Sequence, residues 1–121
     1  MDQTNILLFG ITYKKNTNSI KNAPSINMIN KNTNFTFIGY DNQLTTKLKI
    51  KNLNIYHNLD FQIKNVNCCI ISREFRNEDL NEIINFINLY KIKYMFDPFG
   101  NIDKFKKKYQ YYYQLGENNE K

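Results

Sequence analysis

The stretch NILLFGITYKKNTNSIKNAP, residues 5–24, decides the fold class of this chain. It opens with a continuous apolar run over residues 5–11, which is typical of a β-strand that is covered on both faces. It ends at Pro24, whose fixed backbone angle and missing N–H suit the first position of a helix. A buried strand that leads into a helix is the repeating unit of α/β domains.

The rest of the chain repeats this unit. Short apolar runs, partly β-branched or aromatic, alternate with stretches of helical period. The further predicted strands are FTFIGY (35–40), NIYH (54–57), CCIIS (68–72), KYMFD (93–97) and YQYYYQL (109–115). The further predicted helices cover Leu59–Val66, Glu78–Leu89 and Ile102–Lys108. This order predicts an α/β, three-layer sandwich with a mainly parallel sheet of five to six strands and right-handed crossovers.

The length suits a single domain, since the chain has 121 residues. We expect residues 1–116 to form that domain and residues 117–121 to form a polar C-terminal tail. Met1 at the start and the charged tail favour a whole gene product over a fragment.

The charge balance favours anionic partners. The formal net charge of +6 suits a nucleotide, a nucleic acid or an acidic membrane surface. No apolar run approaches the roughly 18 to 20 residues that span a bilayer, and no signal-peptide pattern opens the chain. Cys68 and Cys69 are neighbours in a predicted strand, so they point to opposite faces and cannot readily form a disulfide. These features predict a soluble protein in the reducing cytoplasm.

A group of lysines follows the first predicted strand. Lys14, Lys15 and Lys21 lie between that strand and Pro24, with no acidic residue among them. In open α/β sheets the ligand lies beyond the carboxyl ends of the strands, where helix N-termini also converge. Backbone N–H groups and lysine ammonium groups at such a point favour phosphate. The stretch therefore predicts an anion site, although a solvated basic loop explains the same residues.

The sequence lacks the residues that several other kinds of site need. Gly10 is alone in the first turn, so the Gly-x-Gly-x-x-Gly motif of dinucleotide sites is missing. His57 is the single histidine, which leaves little for a metal centre or a Ser-His-Asp set. The run KFKKKYQYYYQ (104–114) interleaves basic and aromatic residues, as single-stranded nucleic acid sites do. An exposed basic helix face followed by an alternating strand explains that run without a ligand, and we favour this interpretation.

Five segments in the same order resemble one protein family. FGITYKKNTNSIKNAPSINMI (9–29) resembles the opening of the C-terminal, UDP-binding domain of the UDP-glucose/GDP-mannose dehydrogenases. The positions that match there are Gly10, Lys14, Thr17 and Pro24. Later segments of that domain resemble IGYD (38–41), NVNCCIISREFRNEDLNEI (65–83), FDPFGNID (96–103) and YYYQLG (111–116). The resemblance therefore covers nearly the whole chain.

The resemblance implies a Rossmann-like domain that closes over a nucleotide-sugar in a three-domain, NAD-dependent oxidoreductase. It implies that Tyr13 and Lys14 contact the UDP-sugar and that Lys21 stands where an arginine reaches the NAD. Phe99 stands where an arginine grips the substrate, and Asn18 stands where the family has aspartate. The NAD-binding domain and the domain with the catalytic cysteine are not encoded here. We therefore expect no catalytic residue, no metal and no cofactor bound by this chain alone.

Three functions are compatible with these residues. In the first case it is the C-terminal piece of such an enzyme and supplies substrate binding to a partner subunit that carries the NAD-binding and catalytic domains. Alternatively, it binds a UDP-sugar or related nucleotide as a freestanding domain without catalysis. In the third case it is a diverged scaffold that binds a protein or nucleic acid through its basic face. The first two functions are favoured together, and both depend on Lys14.

Overall fold

A computed structural model describes residues 4–11, 24–44, 50–109 and 111–114 of the chain. Strands and helices alternate along these residues, as the sequence predicts. The strands are β1 (Thr4–Phe9), β2 (Phe35–Tyr40), β3 (Leu53–Tyr56), β4 (Val66–Ile71), β5 (Tyr94–Phe96) and β6 (Tyr111–Tyr113). The helices are α1 (Pro24–Lys31), α2 (Asn77–Tyr90) and a short 3-10 helix (Asp103–Lys108).

The six strands form one sheet in the order β3-β2-β1-β4-β5-β6, and each neighbouring pair is parallel. All carboxyl ends therefore lie along one edge, called the carboxyl edge below, and all amino ends along the opposite, amino edge. Phe9 of β1 is in register with Tyr40 of β2 and with Ile71 of β4. The chain runs outward from β1 to β3 and then continues at β4 on the other side of β1. The direction of the connections therefore reverses between β1 and β4.

Helices cover the sheet from both sides because the side chains of β1 alternate between two cores. Leu7 and Phe9 belong to the core on the α2 side, together with Ile83 of α2. Leu8 belongs to the core on the α1 side, together with Ile29 of α1. Burying an aliphatic side chain of this size stabilises the folded state by roughly 1.5–3 kcal/mol. The α/β, three-layer, Rossmann-like fold predicted from the sequence is confirmed.

The helix α2 follows its sequence pattern. Leu80, Ile83 and Ile87 are buried at helical spacing, and Glu78 lies in the first turn near the positive end of the helix dipole. Lys91 ends the helix in the left-handed conformation, with φ 54°. The backbone N–H of Lys91 donates to the carbonyl of Asn88 at 3.3 Å, and that of Ile92 donates to the carbonyl of Ile87 at 3.2 Å, which is a common way to end a helix.

The predicted helix over Leu59–Val66 is wrong. Residues 57–65 form no helix, and Val66 is the first residue of β4. Leu59, Phe61 and Ile63 are partly buried against the α2-side core, whereas the residues between them are exposed. Burial with a period of two is that of an extended chain. The ring of Phe61 stacks on Tyr56 with 4.1 Å between the ring centres, which holds this segment against the sheet.

Other element ends differ from the predictions by a few residues. The last predicted helix is a 3-10 helix that begins at Asp103, and the last strand covers Tyr111–Tyr113 among the described residues. The predicted boundary between residues 116 and 117 lies outside the described residues. Within the described ranges, no helix combines the length and the apolar character that crossing a membrane requires.

Candidate functional site

The carboxyl edge brings the ends of β1 and β4 together where the connections reverse, which is the position at which open α/β sheets bind ligands. Gly10 and Ser72 directly follow these two strands. The N–H of Gly10 donates to the carbonyl of Tyr40 at 2.7 Å, and the N–H of Ser72 donates to the carbonyl of Phe9 at 2.9 Å. The Ser72 hydroxyl donates to the carbonyl of Gly10. The bond to Tyr40 joins the end of β1 to β2, and the two bonds of Ser72 join it to the end of β4.

A buried ion pair spans this position. Nη2 of Arg73 lies 2.8 Å from Oδ1 of Asp41, and the two side chains are 2% and 0% exposed. Asp41 directly follows β2 and Arg73 lies two residues beyond β4, so the pair crosses the end of β1. The Asp41 carboxylate also accepts the backbone N–H of Ile11 at 2.6 Å and that of Gln43 at 2.9 Å. One carboxylate therefore joins the ends of three neighbouring strands.

The guanidinium of Arg73 has further partners. Nη2 donates to Oδ1 of Asn42 at 3.1 Å, and Nη1 donates to the carbonyl of Glu74 at 2.8 Å. Its central carbon lies 4.0 Å from the centre of the Phe75 ring, which is a cation–π contact. Because Asp41 compensates the charge of Arg73, this arginine stabilises the carboxyl edge and is not a free cation for a phosphate.

Gly10 belongs to the same packed group. Its φ of +108° is a conformation that side chains other than glycine rarely adopt. A Cβ atom at this position would lie only 2.8 Å from Cγ of Arg73. The space that a side chain would need beside Gly10 is filled by the side chain of Arg73. The backbone conformation of Gly10 and the packing of Arg73 therefore both require glycine at position 10.

A second buried carboxylate organises the edge at β5 and β6. Asp97 directly follows β5 and is fully buried. Its Oδ1 accepts the backbone N–H of Asn101 at 2.9 Å. Its Oδ2 accepts the backbone N–H of Ile102 at 2.8 Å and the hydroxyl of Tyr112 at 2.7 Å. Hydrogen bonds to an ionised carboxylate are stronger than neutral ones, so they hold the turn of residues 97–102 firmly against β6.

Asn101 connects the two carboxylate centres. Its Nδ2 donates to the carbonyl of Arg73 at 2.8 Å and to Oδ1 of Asp97 at 3.2 Å. Its Oδ1 accepts the backbone N–H of Phe75 at 3.0 Å. One side-chain amide therefore ties the loop after β4 to the turn after β5. Each buried polar side-chain atom of the described residues has a hydrogen-bond partner.

The predicted site residues divide into two groups. Tyr13, Lys14 and Lys21 lie outside the described residues, so their contacts remain predictions. Phe99 lies in the turn after β5 at the carboxyl edge, and 55% of it is exposed. The structure therefore brings Phe99 to the edge from which the chain leaves β1 toward the predicted lysine site.

The sequence analysis missed three residues that organise this edge, which are the buried Asp41 and Arg73 and the half-buried Asn101. A signal for the first two exists, because each follows a predicted strand and parallel strands end at the same edge. The strand order, which places β1 between them, was not available from the sequence. No pattern in the sequence marks Asn101, whose partners lie in two different loops.

The basic and aromatic residues of the run 104–114 are divided between the two faces of the sheet. Lys104 and Lys108 lie over the ring of Phe105, which packs against the α2-side core. Tyr111 and Tyr113 flank Tyr112, which packs against the same core, so the strand alternation directs these two rings to the other face. A single-stranded nucleic acid site needs both kinds of residue in one groove. Lys104 and Lys108 therefore lie on a different face of the sheet from Tyr111 and Tyr113, and the ligand-free interpretation of this run stays a prediction.

The cysteines are free thiols, as expected of neighbours in a strand. Burial raises the pKa of the Cys68 thiol and raises the pKa of the fully buried Cys69 thiol well above its usual range. A nucleophilic cysteine must be a thiolate, so these shifts favour structural thiols. In the part of the chain that the structure describes, no group of three or more His, Cys, Asp or Glu side chains is arranged to hold a metal ion.

Comparisons with known proteins agree with this architecture. The model of one protein family, described as the UDP-glucose/GDP-mannose dehydrogenase family, UDP binding domain, matches residues 7–104. Among solved structures, the fold is similar to the UDP-N-acetyl-mannosamine dehydrogenase Cap5O from S. aureus, with a TM-score of 0.59 and 16% sequence identity. The likeness covers 96% of this chain and 27% of that one, so this chain spans about a quarter of that dehydrogenase. A comparison with curated proteins finds no significant match.

Proposed function

Because the chain belongs to the UDP-glucose/GDP-mannose dehydrogenase family through the UDP binding domain, we propose that it binds a UDP-sugar or a related nucleotide at the carboxyl edge. The observation that carries this proposal is the extent of the family match. The matched residues 7–104 run from β1 into the 3-10 helix, so they include the strand ends and turns that build the described part of that edge.

In this proposal the phosphates meet the lysines that follow β1. A UDP-sugar carries a diphosphate whose charge needs cations, and Arg73 is already compensated by Asp41. Lys14 is therefore the main phosphate contact, with Tyr13 against the sugar nucleotide and Phe99 at the far end of the ligand. Lys21 reaches NAD only in a complete dehydrogenase assembly. A lysine at that position offers less directional contacts than the planar guanidinium of an arginine.

The chain does not carry out hydride transfer alone in this proposal. Hydride transfer needs a cofactor and a catalytic group held against the sugar. NAD is the hydride acceptor when it is bound, and the first turn of this chain lacks the Gly-x-Gly-x-x-Gly motif of dinucleotide sites. We therefore infer that these residues are the substrate-binding part of an assembly in which other domains supply NAD binding and catalysis. Free thiols at Cys68 and Cys69 support a reducing compartment, so we place the protein in the cytoplasm.

Isothermal titration calorimetry with UDP, UDP-glucose and GDP-mannose tests this proposal. We expect at least one of the three to bind, and Lys14→Ala to weaken binding by about tenfold or more, because it removes a charge from a phosphate contact. The matched control is Lys51→Ala, an exposed lysine in the turn before β3 at the amino edge, which removes the same charge without an effect. Equal loss in both variants would indicate unspecific attraction.

The same titration tests the alternative function, a scaffold that binds a protein or nucleic acid. A single-stranded oligonucleotide is included as a fourth ligand. Binding of the oligonucleotide alone, with an affinity that falls steeply with salt, would favour a nucleic acid partner over a UDP-sugar.

A further inference from the structure

Phe99 is an exposed aromatic residue at the carboxyl edge. It is 55% exposed, which is more than Phe96 and Tyr113, the exposed rings at the carboxyl ends of β5 and β6. Those two rings stack on each other with 5.0 Å between their centres and 17° between their planes. Among the described residues no ring contact of this kind involves Phe99. Its π-face therefore remains available to a ligand.

Hydrogen bonds to Asp97 hold the turn that carries Phe99. The buried carboxylate of Asp97 accepts the backbone N–H groups of Asn101 and Ile102, and the carbonyl of Asp97 accepts the N–H of Gly100 at 3.0 Å. Gly100 has φ +68°, and a Cβ atom there would collide with the side-chain amide of Gln114. Such a turn fixes the backbone of Phe99, so little backbone freedom is lost when a ligand packs on its ring.

The position of Phe99 suits the base of a nucleoside diphosphate. β1 and β5 are separated by β4 alone, so their carboxyl ends are about 10 Å apart. That separation is within the length of a nucleoside diphosphate. A ligand whose phosphates lie at the end of β1 therefore reaches the turn after β5 with its base.

We propose that Phe99 is the stacking platform for the nucleobase of the bound nucleotide. This inference rests on the proposed nucleotide-binding function and adds the residue that holds the base. Stacking uses the π-face that each base has, so it discriminates little between bases. We therefore expect UDP and GDP to bind to this domain with similar affinity.

Titration calorimetry with two ligands tests the proposal. UDP has both a base and a diphosphate, whereas inorganic pyrophosphate has the phosphates alone. Loss of one base–aromatic stack corresponds to an affinity loss of about 5- to 100-fold. We expect Phe99→Ala to weaken UDP binding within this range and to leave pyrophosphate binding unchanged. Phe99→Tyr keeps the π-face and should bind UDP like the wild-type chain.

The control variant is Leu89→Ala, which removes an apolar side chain that is 70% exposed on α2. Unfolding curves of all variants should coincide with that of the wild-type chain, because both side chains are exposed. Unchanged UDP affinity in Phe99→Ala would overturn the stacking role while leaving the proposed function intact. An equal loss of UDP and pyrophosphate binding would also overturn it. Binding of neither ligand to the wild-type chain would overturn both proposals.

Discussion

Arg73 and Asp41 form a buried ion pair across the end of β1, with 2.8 Å between Nη2 and Oδ1. The pair occupies the space beside Gly10 at the point where the sheet connections reverse. Taking two charges out of water is costly, and the additional bonds to Ile11, Gln43 and the Glu74 carbonyl offset that cost. A buried polar network therefore supports the carboxyl edge, where we place the nucleotide.

Removal of one partner of this pair should strongly destabilise the fold. Asp41→Ala leaves the buried guanidinium of Arg73 uncompensated, and we expect a loss of about 3–5 kcal/mol in the free energy of unfolding. Urea denaturation monitored by circular dichroism measures this loss. The control is Arg76→Ala, which breaks a pair with Asp79 in which the arginine is 50% exposed, and should cost less than about 1 kcal/mol. Similar losses in the two variants would contradict a structural role for the buried pair.

Replacement of both charged residues should be less harmful than removal of one. The double variant Asp41→Leu/Arg73→Met leaves no buried charge, so we expect it to be more stable than Asp41→Ala alone. The same urea titration gives the comparison. The double variant should lose less free energy of unfolding than the single variants Asp41→Leu and Arg73→Met lose together. A loss equal to their sum would show that the hydrogen bonds, and not the charges, determine the stability.

Asn101→Ala should loosen the connection between the two loops. The substitution removes the amide that bonds to the Arg73 carbonyl, to Oδ1 of Asp97 and to the Phe75 N–H. Leaving buried groups without partners costs about 1–3 kcal/mol each, so we expect a total loss of a few kcal/mol. Hydrogen exchange should speed up at Phe75, whose N–H loses its acceptor. Unchanged exchange there would contradict the described contact.

Alkaline pH should destabilise the protein through Tyr40. Burial, followed by the charge of Asp79, raises the pKa of Tyr40 from 10.0 to about 12. The folded state favours the neutral phenol, so this contribution is fully present below pH 10 and is lost as the pH rises through 12. The loss should reach about 1 kcal/mol at pH 11. The urea midpoint should therefore decrease less between pH 9 and pH 11 in Tyr40→Phe than in the wild-type chain. Equal decreases in the two proteins would exclude Tyr40 as the cause.

Thiol labelling should distinguish the two cysteines. Cys69 is fully buried and Cys68 is half-buried, and burial raises the pKa of both thiols. At pH 8 we expect Cys68 to react with a disulfide reagent more slowly than a free thiol, and Cys69 to react only after unfolding. The single variants Cys68→Ser and Cys69→Ser assign the reacting residue. Fast labelling of Cys69 in the native protein would contradict its place in the core.

The sequence was sufficient for the fold class because β1 has a continuous apolar run, β2 and β4 are short and mainly apolar, and α2 has a clear helical period. The sequence failed to predict the structure of Leu59–Val66. Leu59, Ile63 and Val66 are spaced as on one side of a helix, and the helix prediction left out Phe61. With Phe61 included, the segment LDFQIK alternates apolar and polar residues, which is the pattern of an extended chain. The burial of that segment follows this alternation.

The site was less predictable than the fold. The carboxyl edge followed from the order of strands and helices, and Phe99 was named from its motif. The Asp41–Arg73 pair depends on the order in which the strands lie in the sheet, which local sequence does not contain. Asn101 depends on the meeting of two loops that are 26 residues or more apart in the chain. Contacts of such long range arise only when the whole sheet has formed.

The most direct test of the account is a titration of the 15N-labelled chain with UDP, followed by NMR. We predict chemical-shift changes for backbone amides at the carboxyl edge, including Gly10, Asn42 and Phe99. The amides of Lys51 and Lys93 at the amino edge should not move. Changes confined to the amino edge, or none at saturating UDP, would contradict nucleotide binding at the carboxyl edge.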